Sequence, residues 1–404
     1  MFNRNNNRIA GAPNSRLNRW ALAAAGAILL LAGYAGTAAA FINVADFGAK
    51  GDGSDATAAI QAAINSAGGS GDTIYLPAGN YGISASLTIT KVMGLRILGD
   101  GVFATDLQPT SGMAGKPVVL FTDAMHCTIE NLSVFGLSGA PPSAGIESDS
   151  AAGGEATHLT IKDVEIGSLS TASIVDGIKY YNPANADWNN DLGFIENVDI
   201  NNFTHAGYSI SGVNPLGLTI QGGTVGYGPI GVYMQGGSIK MSGTHFDDLT
   251  DVAFDFENVS NGTWGFYQHS IEIVNVSAEG DQATLLRTGT DGVNVSLTNV
   301  DYKFSPANAP IIDFQSTGSL FITASTFFML GNSPTFQLVG GPKSIITLTD
   351  NSIALNSLTL DGHILSQGNC WGGAPHLTAT RNSTIAEGIE ACGGKFVRKM
   401  VSSN

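Results

Sequence analysis

Cys127-Thr-Ile129-Glu-Asn131-Leu132 and, 32 residues later, Leu159-Thr-Ile161-Lys-Asp163-Val164 share one pattern: an apolar–x–apolar pair, a polar residue, then Asn or Asp, then another apolar residue. Outward from this pair the pattern recurs as Ile195-Glu-Asn197-Val198, Ile271-Glu-Ile273-Val-Asn275-Val276, Val295-Ser-Leu297-Thr-Asn299-Val300 and Ile346-Thr-Leu348-Thr-Asp350. Shorter forms stand at Leu95-Arg-Ile97, Leu218-Thr-Ile220, Ile239-Lys-Met241 and Leu320-Phe-Ile322. The aligned positions 97, 129, 161, 195, 220, 241, 273, 297, 322 and 348 are separated by steps of 21 to 34 residues. A fixed strand motif with variable spacing means stacked coils joined by loops of different length. Alternation inside each unit is the period-two signal of a strand with one buried face, and Gly, Asn and Pro between units make turns. One coil cannot bury its apolar row alone, whereas ten stacked coils form a continuous core. The chain therefore reads as an all-β right-handed parallel β-helix. The Asn and Asp residues at 131, 163, 197, 275, 299 and 350 read as turn residues, able to adopt left-handed backbone and to stack along the solenoid, and they are assigned no chemistry.

The repeat runs without a Pro/Ser linker or charge block, so residues 41–404 read as a single domain. Residues 1–40 differ: Arg4, Arg8, Arg16 and Arg19 precede an apolar run from Trp20 to Gly36, and Ala38-Ala39-Ala40 offers a small-residue cleavage site. That is the pattern of a signal peptide, shorter than a membrane span, and it predicts a secreted or periplasmic protein with no membrane attachment after cleavage. Loss of four arginines and no acids moves the formal charge from −15 to −19. So acidic a surface repels nucleic acid and anionic membranes. Of three cysteines, Cys127 occupies an inward strand position, while Cys370 and Cys392 share the Gly-rich C-terminal segment and are placed to pair in an oxidising compartment.

At the N-terminal end, Asp55 can cap a helix whose apolar residues at 56, 59, 60, 63 and 64 form one face, suited to a lid on the first coil. Asp46 and Asp52 read as turn and capping residues, because their Gly-rich stretch lacks the spaced ligands of a calcium loop. The stretch "NVADFGAKGDGSDATAAIQAAI" followed by "TIYLPAGNYGI" resembles the N-terminal signature of the pectate-lyase-like superfamily. The branch resembled includes rhamnogalacturonases, alginate epimerases, family 28-related glycoside hydrolases and phage tailspike depolymerases. The resemblance implies a parallel β-helix and a carbohydrate-active protein. Its branch contains hydrolases, lyases, epimerases and non-catalytic members, so it does not by itself choose a reaction. Trimers of the tailspike type belong to the same branch, which leaves a homotrimer open.

A second strand aligns after each repeat: Asp176-Gly-Ile-Lys179-Tyr180, His205-Ala-Gly-Tyr208-Ser209-Ile210, Ile230-Gly-Val-Tyr233-Met234 and Asp251-Val-Ala-Phe254-Asp255-Phe256. Alternation turns Ile178, Ile210, Val232 or Met234, and Phe256 inward and gathers Lys179, Ser209, Tyr233 and Asp255 into one outward column, with Asp176 and His205 at the turn before it. The candidate catalytic residues are therefore Asp176, Lys179, His205, Tyr233 and Asp255. This segment resembles the catalytic coils of family 28 polygalacturonases, Asp176 matching the second acid of their Asp-Asp and His205 their histidine. Val175 stands where the first acid would be, Ala206 is inserted before Gly207, no Asn-Thr-Asp occurs, and Phe254-Asp255 replaces Arg-Ile-Lys. The Asp-Pro-His-Glu motif of alginate epimerases is also missing.

Inverting hydrolysis needs two carboxylates about 6.5–9.5 Å apart, whereas Asp176 and Asp255 lie three coils, roughly 14 Å, apart unless a loop acid folds over. A lyase would need a base, from Lys179, His205 or Tyr233, and a neutraliser for a uronate carboxylate, for which Ca²⁺ held by Asp176, Asp187 and Asp191 is one arrangement. The loop Tyr181-Asn-Pro-Ala-Asn-Ala-Asp187-Trp188-Asn-Asn-Asp191 combines rings that stack on sugars with groups that bind hydroxyls, making Tyr181, Asp187, Trp188 and Asp191 candidate substrate contacts. His126, His158, His269, His363 and His376 show no clustering and read as surface or turn residues. The sequence thus predicts a polysaccharide-active protein, with glycoside hydrolase first, uronate lyase second and a non-catalytic glycan-binding envelope protein as the alternative of another class.

Overall fold

The computed structural model describes residues 39–391, apart from 69–70, 151–152, 168–170, 172, 183–188, 213, 258–268, 281–283, 291, 305–308, 330–334, 355–356, 362, 373–375, 380–383 and 387–389. Every strand pairs in parallel with its counterpart one coil away. Ile97 pairs with Ile129, Ile129 with Ile161 and Ile161 with Ile195. Further along, Leu297 pairs with Ile322 and Ile322 with Leu348. Each aligned apolar position of the sequence repeat thus sits on the same position of the next coil, and those residues are buried. This is a parallel β-helix. One face is a sheet of twelve described strands from Leu87–Thr90 to His376–Ala379, and the remaining faces form a larger sheet from Phe41–Asn43 to Glu390–Ala391. Strands continue past residue 360, further than the repeat pattern alone marks, since the last coils keep the register without the Asn or Asp.

All six Asn and Asp positions of the repeat have positive φ, from 50° at Asp163 to 57° at Asn131. Asn and Asp are among the few residues that visit this region at low cost. Side chains also stack there: Asn197 donates to Asp163 and Asn299 to Asn275, both at 2.7 Å.

The N-terminal lid is the helix Thr57–Ser66, with Ile60, Ala63 and Ile64 buried against the first coil. Asp55 precedes it by two residues and is not its N-cap, which is Ala56. Even so, the Asp55 carboxylate accepts from the Thr57 amide at 3.0 Å and the Thr57 hydroxyl at 2.6 Å, satisfying a donor that the helix leaves open. Gln61 closes the exposed edge of the twelve-stranded sheet, its side chain accepting from the Thr88 amide and donating to the Thr88 carbonyl at 2.8 and 2.9 Å. Cys127 is a buried free thiol whose ionisation is pushed up by burial. Cys370 is disulfide-bonded, and Cys392 lies outside the described residues. Among the described residues no helix is long and apolar enough to cross a membrane.

Candidate functional site

The twelve-stranded sheet carries the outward column predicted from sequence, and register extends it at both ends. Glu147 pairs with Lys179, Lys179 with Ser209, Ser209 with Tyr233, Tyr233 with Asp255, Asp255 with Arg287 and Arg287 with Asp313. Adjacent rungs of such a ladder stand roughly 4.8 Å apart. Below the column, at the corner where each strand begins, lies a row of glycines: Gly145, Gly177, Gly207 and Gly231. A Cβ at any of them would collide with core side chains of the facing sheet, at 2.6 Å from Ile166 for Gly145 and 2.5 Å from Phe246 for Gly231. The inner side of this corner is therefore full, and Asp176, the residue before Gly177, stands on the outer side, where it meets His205.

His205 reaches Asp176 through a bulge. Ile174 pairs with Phe203 and Asp176 with Ala206, so Thr204 and His205 together oppose the single residue Val175. An extra residue of this kind bends a strand and re-aims its side chain. The departure from the polygalacturonase pattern, Ala206 inserted before Gly207, has this physical form. His205 Nδ1 lies 2.6 Å from Asp176 Oδ1, with the imidazole side chain 39% exposed and the carboxylate 9% exposed. The hydrogen bond that His205 donates to Asp176 is the main cause that raises the His205 pKa, burial opposing it. The rings of His205 and Tyr233 meet edge to face with centroids 4.9 Å apart. Burial is the main cause that raises the Tyr233 phenol, with Glu257 and Asp255 adding to it. Ala206, Ile230 and Val252 form an apolar cluster separate from the main core, and Tyr233 packs against it.

The remaining candidates are divided among ion pairs. Asp255 is buried and meets Arg287 at 2.5 Å, and the same guanidinium holds Asp251 at 3.1 Å. Burial pushes the Asp255 carboxyl up despite that contact. A carboxylate so enclosed is a poor partner for a reacting sugar. Lys179 Nζ is 3.2 Å from Glu147 and 5.0 Å from the centre of the Tyr181 ring, so it sits between a buried acid and an exposed aromatic. Burial raises the Glu147 carboxyl, with Lys179 opposing. Glu147 and Arg287 were missed by sequence reasoning. Aligning the coils across the loops before residues 147 and 287 would have found them.

Tyr181 joins this site at its edge, in register with Asp149 and Ser211. Asp191 does not. It lies at another corner, where its carbonyl accepts from the His158 amide at 3.0 Å and burial raises its carboxyl while His158 opposes. Asp187 and Trp188 lie outside the described residues. His126 and His158, expected to be isolated, stack on each other with centroids 4.4 Å apart, since each occupies the same left-handed turn just before its strand, one coil apart. Among the described residues no three His, Cys, Asp or Glu side chains converge as metal ligands. Calcium held by Asp176, Asp187 and Asp191 therefore lacks support from Asp176, which is engaged by His205.

Residues 41–270 match the model of the family described as rhamnogalacturonase A/epimerase, pectate lyase-like. A stretch of 105 residues is 41% identical to mannuronan C5-epimerase AlgE1 of Azotobacter vinelandii, covering 24% of this chain and 7% of that protein. A shorter stretch of 44 residues is 66% identical to AlgE5 of the same organism, 10% of this chain and 4% of that one. The chain thus matches less than a tenth of the length of these relatives. Among solved structures, the surface adhesin PfbA of Streptococcus pneumoniae aligns with a TM-score of 0.55 at 13% identity, over 90% of this chain and 100% of that one. The N-terminal fragment of gene product 12 of bacteriophage Phi29 aligns with a TM-score of 0.60 at 14% identity, over 91% and 68%. These likenesses are of fold. With more than half of its length matched by the family model, the chain belongs to the rhamnogalacturonase A/epimerase, pectate lyase-like family.

Proposed function

We propose that this is an exported polysaccharide-active enzyme that cleaves a uronate-containing glycan by β-elimination, with His205 as the base. The observation that carries the reading is the 2.6 Å contact of His205 with Asp176 beside the edge of Tyr233. A histidine oriented through one ring nitrogen by a carboxylate leaves its other nitrogen to act as a base. In the proposed reaction that nitrogen takes the proton from the carbon next to the uronate carboxylate. The electron pair forms a carbon–carbon double bond, the glycosidic bond one carbon further breaks, and the Tyr233 hydroxyl gives its proton to the leaving oxygen. Lys179, two rungs from Tyr233 and paired with the single acid Glu147, is the cation placed to meet a carboxylate of the polymer, whereas Arg287, two rungs to the other side, is already shared between Asp251 and Asp255.

Hydrolysis by a carboxylate pair has less support. Asp176, Asp255 and Glu147 are engaged by His205, Arg287 and Lys179, and the first two stand three rungs apart. The basic, apolar and small-residue run of residues 1–40 supports export by a cleaved leader. The test is incubation of the chain from residue 41 with a panel of uronate-containing and neutral polysaccharides, with reducing ends and ultraviolet absorbance of unsaturated uronates recorded together. Elimination gives both signals. Reducing ends without absorbance mean hydrolysis, and binding with neither signal means a glycan-binding surface.

A further inference from the structure

The C-terminal coils present an uncharged face on a chain whose formal charge is −15. The strands Val293–Thr298, Ser319–Thr323, Ile345–Thr349 and His363–Gln367 contain no Lys, Arg, Asp or Glu. Glu272, Ser296, Phe321, Thr347 and Leu365 follow one another in register, so charge along this row ends at Glu272. Earlier coils of the same sheet carry ion pairs instead, Lys162 with Glu196 at 2.8 Å and Lys240 with Glu272 at 3.2 Å. Phe321, Ile345 and Leu365 alternate with buried neighbours and are 46, 48 and 46% exposed. Thr347 lies between Phe321 and Leu365, with Thr323 and Thr349 beside them, all three half-buried.

Exposed apolar side chains grouped among hydroxyls mark a contact surface. Each of these strands is paired on both sides, so the face offers no free backbone to an added peptide strand. Three rungs of about 4.8 Å and strands of about five residues at ~3.3 Å make an area on the order of 200 Å², far below the roughly 800 Å² per partner of a stable protein interface. An anionic polymer finds no cation here. We infer that this face binds an uncharged polysaccharide. Sugar rings have C–H faces and hydroxyl edges: the faces lie on Phe321, Ile345 and Leu365, and the hydroxyls meet the threonines. The face belongs to the larger sheet, whereas His205 and Tyr233 stand on the twelve-stranded one, so the two surfaces are separate. The inference does not depend on the proposed reaction.

The purified protein is incubated with graded amounts of microcrystalline cellulose, chitin or particulate β-1,3-glucan, and the protein left in the supernatant is measured. Depletion by at least one of these polymers is expected, and it should persist in molar sodium chloride because no charge pair carries it. The triple variant Phe321→Thr, Ile345→Thr, Leu365→Thr keeps side chains suited to strands and should melt as the parent does. It should bind at least about tenfold more weakly. If the triple variant does not fold, Leu365→Thr alone replaces it, with a smaller weakening in the same direction. Lys179→Gln, on the other sheet, should bind as the parent does. Absence of depletion by all three polymers overturns the proposal, as does binding by the triple variant equal to the parent, or loss of binding in Lys179→Gln. Sedimentation velocity tests the other occupant: a dimer that the triple variant turns into a monomer assigns the face to a second copy of the chain and overturns the proposal as well.

Discussion

The Tyr233 ring meets the His205 ring edge-on, at 4.9 Å between centroids and an interplanar angle of 71°, one rung beyond the contact that ties His205 to Asp176. Side chains from the coils on either side, Asp176 and Tyr233, thus converge on one imidazole. Removing the orienting acid or the base from such a group costs about 10²–10⁴-fold in rate. Asp176→Asn and His205→Ala should fold as the parent does and lose activity by that factor, measured as unsaturated uronate released per unit time. Activity of Asp176→Asn equal to the parent would move the base elsewhere.

The pH profile follows from the same pair. Asp176 raises the His205 pKa above its ordinary 6.5, and a base must be unprotonated, so the rate should fall as pH drops through that raised value. Without the Asp176 carboxylate the acidic limb of Asp176→Asn should move to lower pH. An unmoved limb in kcat/KM against pH would mean that another group sets it.

Asp255 should behave as a structural acid. Truncating Arg287 to Met leaves a buried carboxylate uncompensated, a loss of roughly 3–5 kcal/mol by comparison with other buried pairs. Urea denaturation should show that loss for Arg287→Met, and a smaller one for the double variant Arg287→Met with Asp255→Leu. A catalytic acid at 255 would instead give normal stability with lost turnover in Asp255→Asn.

Gly177→Ala tests the glycine corner. Overpacking typically costs about 1–3 kcal/mol, and here the new methyl would press on Ile200 and push the strand that carries Asp176 outward. Both melting temperature and activity should fall. Gly292→Ala, where the nearest atom would be 3.5 Å away, should change neither.

Glu165 gives the molecule a pH-dependent stability far from the proposed site. Burial raises its carboxyl from 4.5 to about 7, with Asn201 opposing and Asp199 adding. The folded state thus holds a proton that the unfolded state releases at lower pH, so stability should decline as pH rises from about 4.5 to 7 and level off above. Glu165→Gln keeps an acceptor for Asn201 and removes the charge. It should flatten that decline, with a gain on the order of 3–4 kcal/mol at pH 8 by denaturant titration, at about 1.4 kcal/mol per tenfold. A variant as pH-sensitive as the parent would assign the decline to another acid.

The fold was legible because parallel stacking places like positions on like positions, so one apolar row and one left-handed turn must recur in every coil. Asn131, Asp163, Asn197, Asn275, Asn299 and Asp350 could be read as turns for that reason. Lys179, Ser209, Tyr233 and Asp255 could be aligned because short steps separate their coils. Glu147 and Arg287 could not, since long loops precede them and hide the register that pairs them with Lys179 and Asp255. Nor does period-two reasoning foresee a bulge: it assigns His205 to a turn without indicating that one extra residue aims it at Asp176. The His126–His158 stack escaped because turn positions carry no periodic signal.

The rung register also indexes the surface. Each outward position lies about one strand spacing from its counterpart on the next coil, whatever the length of the loop between them. A loop can therefore lengthen at a corner without changing the distance between two rungs, and a duplicated coil would shift one end of the column as a block while leaving each half internally intact. Variation in this chain has two separate channels: reach and selectivity can change in the loops, while the spacing of chemical groups along a polymer stays locked to the backbone ladder.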